Sequence, residues 1–313
     1  KGRRDWFVGR KNQEASNKEK TMQGMSFEEL ELLQPEDLSN PDSLTCTTTT
    51  TILIHDGGGT VFPYHRLGPM SRNLYGIANP NFFSGAEFPG GVIEMGRLYA
   101  DFIRSAIRDR RRFRTRRKLN GAVDILLGGW SFGGYLSLEV ASQLRDDEDI
   151  NVVGIVMVDS DYDVHLRHEP ADMVPIDVEE EGRTATEVLS RRCMSKAIRM
   201  LDAWTPPAWE NKKEEGAEER ATDTSRPRCI LIRCKDYQPT ESGQISAADR
   251  LRANPTLGWS SYDETLLEKV IDISGHHFNI FEEELVEGTT AALKEALEAL
   301  DPIPPRWKLL QTT

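Results

Sequence analysis

Short apolar runs that alternate with helical segments constrain the fold of this chain more than any other feature of its sequence. Apolar residues recur at helical spacing in 92–108, 134–145 and 282–300. Between them lie five runs with the length and composition of buried strands: 52–54, 123–128, 152–158, 229–233 and 269–273. This order predicts an α/β fold in which a mostly parallel central sheet is covered by helices on both faces.

The composition excludes several classes of protein. Asp and Glu number 51 against 39 Lys and Arg, so the chain lacks the basic balance of a general nucleic-acid binder. The four cysteines have neither metal-ligand spacing nor the density of a disulfide scaffold, which favours a reducing, cytoplasmic setting. No apolar run is long enough for a membrane span or a signal peptide. The first residue is not Met, which indicates a processed chain or a domain cut from a longer protein.

Three segments depart from the strand and helix alternation. Residues 1–45 are polar and are predicted to be an N-terminal extension or linker, with one helical piece at Phe27–Leu33, ahead of the α/β domain at 46–313. Residues 164–226 are too long for a structureless loop and predict a helical lid with a mobile section. Residues 104–118 hold nine basic residues and one acidic residue, and they form either a solvated helix end or a dock for an acidic partner.

The pentapeptide Gly129-Trp130-Ser131-Phe132-Gly133 lies between a predicted strand and a predicted helix. This is the setting of a nucleophile elbow, where the strand turns sharply into the helix and exposes the serine hydroxyl. Glycines two residues to either side of the serine leave room for the turn. The sequence therefore predicts that Ser131 is a catalytic nucleophile.

A nucleophilic serine needs a histidine base and an orienting carboxylate, which in this class of fold follow it in the order acid, then histidine. Asp159 directly follows a predicted buried strand, and Asp161 and Asp163 come soon after it. His276 and His277 follow the last predicted strand. Because adjacent side chains point in different directions, at most one of these two histidines can face Ser131.

Two further groups are predicted to stabilise an oxyanion. The N–H of Phe132 lies at the start of the helix after Ser131, and Gly57-Gly58-Gly59 follows the first strand, where its N–H groups can complete the hole.

Four segments together resemble the thioesterase domains of polyketide synthases and nonribosomal peptide synthetases, most closely those of filamentous fungi. They are Ile54-His55-Asp56-Gly57-Gly58-Gly59-Thr60 with Tyr64, Tyr75-Gly76-Ile77 with Asn79-Pro80, Leu127 to Gly134 around Ser131, and Gly275-His276-His277-Phe278. The resemblance covers about 50–300 and is weakest in the predicted lid.

The resemblance implies an α/β-hydrolase fold with a helical lid insertion and the triad Ser131, Asp159 and His277. It selects Asp159 through its Val-Asp-Ser context and His277 through the position before Phe278. It also implies oxyanion donors at Phe132, Gly58 and Gly59, with Trp130 and Tyr64 as candidates for the substrate pocket. The implied reaction requires no metal or cofactor.

The implied substrate is an acyl chain, held as a thioester on the phosphopantetheine arm of an acyl carrier protein or synthase. The chain would pass to Ser131 and leave by hydrolysis or by lactonisation. Two other interpretations remain open from the sequence. One is a carboxylesterase or lipase, since His-x-Gly-Gly-Gly also resembles esterase oxyanion loops, and the other is a non-catalytic hydrolase fold that serves as a binding module.

Overall fold

The computed structural model of the protein describes residues 29–37, 39–40, 46–109, 113–162, 183–209, 226–240 and 243–301. Four α-helices lie within these residues: α1 (Gly91–Arg108), α2 (Phe132–Gln143), α3 (Ala185–Asp202) and α4 (Val286–Leu300). They contain seven strands, which are β1 (Glu31–Gln34), β2 (Thr50–Ile54), β3 (Leu74–Ile77), β4 (Val123–Trp130), β5 (Ile150–Val158), β6 (Arg228–Cys234) and β7 (Leu267–Ile273).

The seven strands form one sheet in the order β1-β3-β2-β4-β5-β6-β7. All neighbouring strands pair in parallel except β1, which runs antiparallel to β3 at the edge. The carboxyl ends of β2, β4, β5, β6 and β7 therefore meet at one edge of the sheet, where α/β proteins place their ligands.

Apolar side chains that alternate along the strands divide the core into two layers. Ile52 and Ile54 of β2 pack in the layer that contains α1 and α2, whereas Leu53 packs in the layer that contains α4. The central strands are buried almost throughout, as expected for parallel strands covered on both faces. The predicted α/β class and its mostly parallel sheet are confirmed.

Each of the five predicted strands and three predicted helices is present, with ends shifted by a few residues. The helical piece predicted at Phe27–Leu33 is wrong, since Glu31–Gln34 forms β1. Leu30 and Leu33 lie three residues apart, which is also helical spacing, but in the structure they pack in opposite core layers. The sheet thus begins inside the segment predicted as an extension, and the domain boundary at 45 stays a prediction.

The described part of the predicted lid, 183–209, contains α3, which confirms its helical character. The helix starts with a capping box in which the Thr184 hydroxyl accepts from the Glu187 N–H and the Glu187 carboxylate accepts from the Thr184 N–H. On its inner side Met194 and Ala197 lie against Gly57, in the loop after β2. The remainder of the predicted lid, including most of its polar section, lies outside the described residues.

The described part of the basic run, 104–109 and 113–118, lies far from the carboxyl edge of the sheet. Arg117 bridges to Val123, the first residue of β4, and Arg104 is paired with Asp101 and Asp147. Because β4 has eight residues at roughly 3.3 Å each, its two ends are about 25 Å apart. Residues 110–112 of the run are outside the described residues.

Candidate active site

The turn between β4 and α2 holds Ser131 in a strained backbone conformation. Ser131 has φ 54° and ψ −117°, backbone angles that residues other than glycine rarely adopt. A Cβ on Gly129 would lie 2.6 Å from the Gly133 Cα, and one on Gly133 would lie 2.4 Å from the Ile54 carbonyl oxygen. Only glycines at both positions allow β4 to turn into α2 this tightly.

Ser131, His277 and Asp159 form one hydrogen-bonded chain, although they lie on three different strand ends. The Ser131 hydroxyl lies 3.0 Å from His277 Nε2, and His277 Nδ1 lies 2.9 Å from Asp159 Oδ2. With Nδ1–H donating to the carboxylate, Nε2 is left to accept the serine proton. Ser131 follows β4, Asp159 follows β5, and His277 follows β7.

The neighbouring candidates occupy other positions. The His276 ring is turned back on its own loop, where Nδ1 accepts from the Phe278 N–H. The Asp161 carboxylate accepts a hydrogen bond of 2.6 Å from the Tyr135 hydroxyl, and burial raises its pKa. Asp163 lies outside the described residues. The structure thus brings together the members of the triad that the resemblance selects.

Asp159 also contacts Arg252, which the sequence analysis did not single out. Arg252 Nη1 and Nη2 donate to the two carboxylate oxygens of Asp159 at 2.5 and 2.7 Å. Burial would raise the pKa of Asp159, but the hydrogen bonds from His277 and Arg252 outweigh it and hold this pKa well below its usual range. Arg252 lies 93 residues after Asp159 in a loop without motif, so no local signal in the sequence pointed to it.

The loop after β2 places a second buried carboxylate beside the triad. Burial raises the pKa of Asp56 to about 6, against the opposing effects of the Gly58 N–H and of the neighbouring His277. No cation contacts Asp56 among the described ion pairs, which distinguishes it from Asp159.

The predicted oxyanion donors Gly58 and Gly59 already donate their N–H groups to Asp56. The N–H of Gly58 donates toward the Asp56 carboxylate, and the N–H of Gly59 donates to the Asp56 carbonyl at 3.1 Å. This arrangement does not favour either glycine as a donor to a ligand. Phe132 is the first residue of α2, where an N–H has no intrahelical partner, and it stays the predicted donor.

His55 holds the loop from the other side. Its Nδ1 lies 2.5 Å from the Asp56 carbonyl oxygen and its Nε2 lies 2.7 Å from the Tyr99 hydroxyl. Burial lowers the pKa of His55 to about 4, so this ring is neutral at physiological pH, with Nδ1–H donating and Nε2 accepting. Both ring nitrogens of His55 are therefore engaged in supporting the loop.

Tyr64 and Trp130, the candidates for the substrate pocket, are both buried. The Tyr64 hydroxyl donates to the Ile54 carbonyl at 2.6 Å and accepts from the Trp130 N–H at 2.9 Å, so it connects the end of β2 to the turn that holds Ser131. This position argues against Tyr64 as a pocket wall. The Trp130 ring packs beside the His277 ring, with centroids 5.4 Å apart.

No protein-family model matches this chain. Several known proteins are nevertheless similar to it in sequence over most of its length. "Probable thioesterase BOA10" of Botryotinia fuckeliana is 30% identical over 264 residues, which cover 83% of this chain and 88% of that protein. The chain belongs to this thioesterase family. "Probable thioesterase gloN" of Glarea lozoyensis is 31% identical to the present thioesterase over 268 residues, covering 79% and 89% of the two chains.

Solved structures agree with this family. The thioesterase domain NocB from the nocardicin cluster is 26% identical, with a TM-score of 0.54 over 80% of this chain and 95% of that domain. The same domain in a covalent complex with a fluorophosphonate nocardicin G analogue gives a TM-score of 0.53. The predicted resemblance to thioesterases of polyketide and nonribosomal-peptide synthesis and the α/β-hydrolase fold are both confirmed. None of the described helices of the thioesterase is long and apolar enough to cross a membrane.

Proposed function

We propose that this thioesterase is a serine hydrolase that releases an acyl chain from a carrier-protein thioester through an acyl-Ser131 intermediate. The observation that carries the proposal is the hydrogen-bonded chain from Ser131 through His277 to Asp159, at 3.0 and 2.9 Å. A serine hydroxyl becomes nucleophilic when a base takes its proton, and the carboxylate orients the base and stabilises the imidazolium that forms.

In the proposed first step, His277 Nε2 takes the Ser131 proton while Oγ attacks the thioester carbonyl carbon. The tetrahedral intermediate then expels the pantetheine thiolate, which receives the proton from His277. The N–H of Phe132 is the first proposed donor to the oxyanion, at the positive end of the α2 dipole. Gly58 or Gly59 could supply the second only after releasing Asp56.

In the second step, an acceptor hydroxyl gives its proton to His277 and attacks the acyl-Ser131 ester. Attack by water yields a free acid, whereas attack by a hydroxyl of the acyl chain yields a lactone. Helix α3 lies over the loop after β2, which supports a role for the predicted lid, 164–226, in shaping the space where the acyl chain folds.

An acyl carrier protein or a synthase is the proposed partner, since the substrate would arrive on a phosphopantetheine arm. The basic run at 104–118 is a poor dock for it, because the described part of the run lies near the amino ends of β4 and β5 and Ser131 lies at the other ends. The carboxyl edge of the sheet is the surface that a carrier must approach.

The proposal is tested with Ser131→Ala, assayed for cleavage of acyl thioesters and for labelling by a fluorophosphonate. Both should disappear, while Ser142→Ala at the far end of α2 should retain both. Thioester turnover by Ser131→Ala at the wild-type rate would refute the serine mechanism, and an inactive but folded wild type would favour the binding-module interpretation.

Two further measurements refine the proposed reaction. A matched acyl thioester and p-nitrophenyl ester compare the two leaving groups, and a higher kcat/KM for the ester would favour the carboxylesterase interpretation. Mass spectrometry of products from acyl thioesters with a terminal hydroxyl distinguishes acid from lactone.

A further inference from the structure

The carboxylate of Asp159 binds two cationic or protonated partners at once. Its Oδ1 accepts from Arg252 Nη1 and from the Cys234 N–H, and its Oδ2 accepts from Arg252 Nη2 and from His277. Because the guanidinium and the imidazole share Oδ2, their nitrogens lie within roughly 6 Å of each other, where charges influence each other's ionisation. The contact with Arg252 is bidentate, which fixes the plane of the carboxylate as well as its position.

Arg252 is itself held on its other side by a second carboxylate. Asp249 Oδ1 accepts from Arg252 Nε and Nη2 at 3.1 and 3.0 Å, while Asp249 Oδ2 accepts from the Ser246 hydroxyl and the Gln238 N–H. Arg252 and Asp249 are only 4% and 1% exposed. Asp249, Arg252, Asp159 and His277 therefore form a buried row in which carboxylates alternate with nitrogen donors.

Such a row costs desolvation energy that a simple carboxylate–histidine pair avoids. A main-chain N–H such as that of Cys234 would be enough to orient Asp159, and a buried arginine is stabilised only if its partners are well placed. The charge of Arg252 has one effect that a neutral donor would not have, because it opposes the gain of a proton by His277 through the shared carboxylate.

We propose that Arg252, held in place by Asp249, is a positioning residue that orients the Asp159 carboxylate and sets the pH at which His277 can accept the Ser131 proton. This inference rests on the proposed function, since it assigns a role in the same triad. Asp56 and Asp161 also act electrostatically on His277, and the rings of Trp130 and Phe278 pack beside it. Their effects are common to the variants at 252 and 249.

The direction of the effect follows from charge. Removal of the positive charge at 252 makes protonation of His277 easier, so a higher pH is needed to free its Nε2. Removal of the negative charge at 249 leaves Arg252 less neutralised and has the opposite effect. The two substitutions must therefore shift the acid limb of the kcat/KM profile in opposite directions.

The test is the pH profile of kcat/KM with an acyl thioester for Arg252→Met, Arg252→Lys and Asp249→Asn. For Arg252→Met we expect kcat to fall about 10- to 100-fold with KM nearly unchanged, and the midpoint of the acid limb to rise by about one pH unit. Arg252→Lys keeps the positive charge but loses the bidentate contact with Asp159. The midpoint of its acid limb should therefore stay near that of the wild type while kcat remains reduced. Asp249→Asn should lower the midpoint by about half a pH unit.

The matched control is Arg228→Met. Arg228 forms an equally forked pair with Glu268 at 2.6 Å, but at the other end of β6, where both side chains are nearly half exposed. Its profile should coincide with that of the wild type. Repeating the series in the Asp56→Asn background removes a neighbouring carboxylate whose pKa burial raises to about 6.

Unchanged midpoints in Arg252→Met and Asp249→Asn, or shifts of the same sign, would overturn the proposal and leave the row with a structural role only. If Arg252→Met does not fold, Asp249→Asn and Arg252→Lys decide by the same criterion. Ser131→Ala in the same assay separates this failure from that of the proposed function. If it is inactive while the midpoints do not move, the positioning role alone is wrong.

Discussion

Two buried carboxylates beside His277, Asp159 and Asp56, have opposite electrostatic environments. Both are less than a tenth exposed, and for both the largest effect of the protein is desolvation, which favours the neutral form. Asp159 has the guanidinium of Arg252 and the ring of His277 as donors, and its pKa is held low. Asp56 has main-chain donors, and its pKa rises to about 6.

The contrast shows that burial alone does not determine the charge of an acid in this site. The hydrogen-bond donors to each carboxylate determine its charge, and these donors differ between Asp159 and Asp56. On the histidine side the carboxylate is ionised over the whole physiological range. On the other side, Asp56 changes charge close to that range.

The largest expected effect comes from removing the charge on the histidine side. Asp159→Asn should lower kcat by about 10⁴-fold, because the amide no longer holds the imidazole in the tautomer that frees Nε2, and it leaves Arg252 without its main partner. Steady-state kinetics with an acyl thioester measure this loss. Asp161→Asn, whose carboxylate binds the Tyr135 hydroxyl, is the control and should lose far less.

On the other side, Asp56→Asn should stabilise the protein at neutral pH. In the wild type the pKa of Asp56 in the folded protein, about 6, lies above its value in the unfolded chain. The contribution of Asp56 to the free energy of unfolding is therefore greatest below about pH 4 and is lost as the pH rises through 6. The isosteric amide avoids burying a charge and should raise the free energy of unfolding at pH 7.5 by about 2–3 kcal/mol, with no gain at pH 4. Urea unfolding at the two pH values measures the difference, and an equal gain at both would contradict this account.

Tyr64→Phe removes the hydrogen bonds that connect the end of β2 to the turn holding Ser131, without altering any charge. The Ile54 carbonyl and the Trp130 N–H each lose a buried partner, which should cost about 2 kcal/mol of stability and lower kcat. Thermal unfolding and kinetics check both effects. Tyr262→Phe, where a half-buried hydroxyl donates to one carbonyl, should unfold with a smaller loss and leave kcat intact.

The smallest effect is expected for a bidentate arginine–carboxylate ion pair that is exposed to solvent. Glu268→Gln breaks the pair with Arg228, whose geometry resembles that of Arg252 with Asp159, yet solvent screens the two charges. We expect a loss of stability of less than about 1 kcal/mol, measured by urea unfolding. A loss as large as that of a buried pair would show that geometry, and not burial, gives these pairs their strength.

The fold was predictable where hydrophobic periodicity was unambiguous. The continuous runs of β4, β5 and β6 can only be buried strands in this setting. β1 was misassigned because the spacing of Leu30 and Leu33 fits a helix as well as a strand, and pairing with β3 decides between them. β3 has four residues, one of them glycine, and so carries little periodic signal of its own.

The candidate site was predictable only where its residues are close in sequence or follow one another in the order that this class of fold requires. The turn around Ser131 is a local motif, and the resemblance chose Asp159 and His277 among their neighbours. Arg252 and Asp249 lie in a loop that reaches Asp159 through tertiary packing. The commitment of Gly58 and Gly59 to Asp56 depends on side-chain placement within the loop, which composition does not specify.

The positive φ angle of Ser131 has a consequence for how this protein can change over generations. Glycine is relaxed in that backbone conformation, whereas serine is not, so Ser131→Gly would relieve local strain while removing the hydroxyl of the proposed nucleophile. Mutational drift toward greater stability and selection for activity therefore pull in opposite directions at this residue. A descendant freed from making its product would be expected to lose this hydroxyl early.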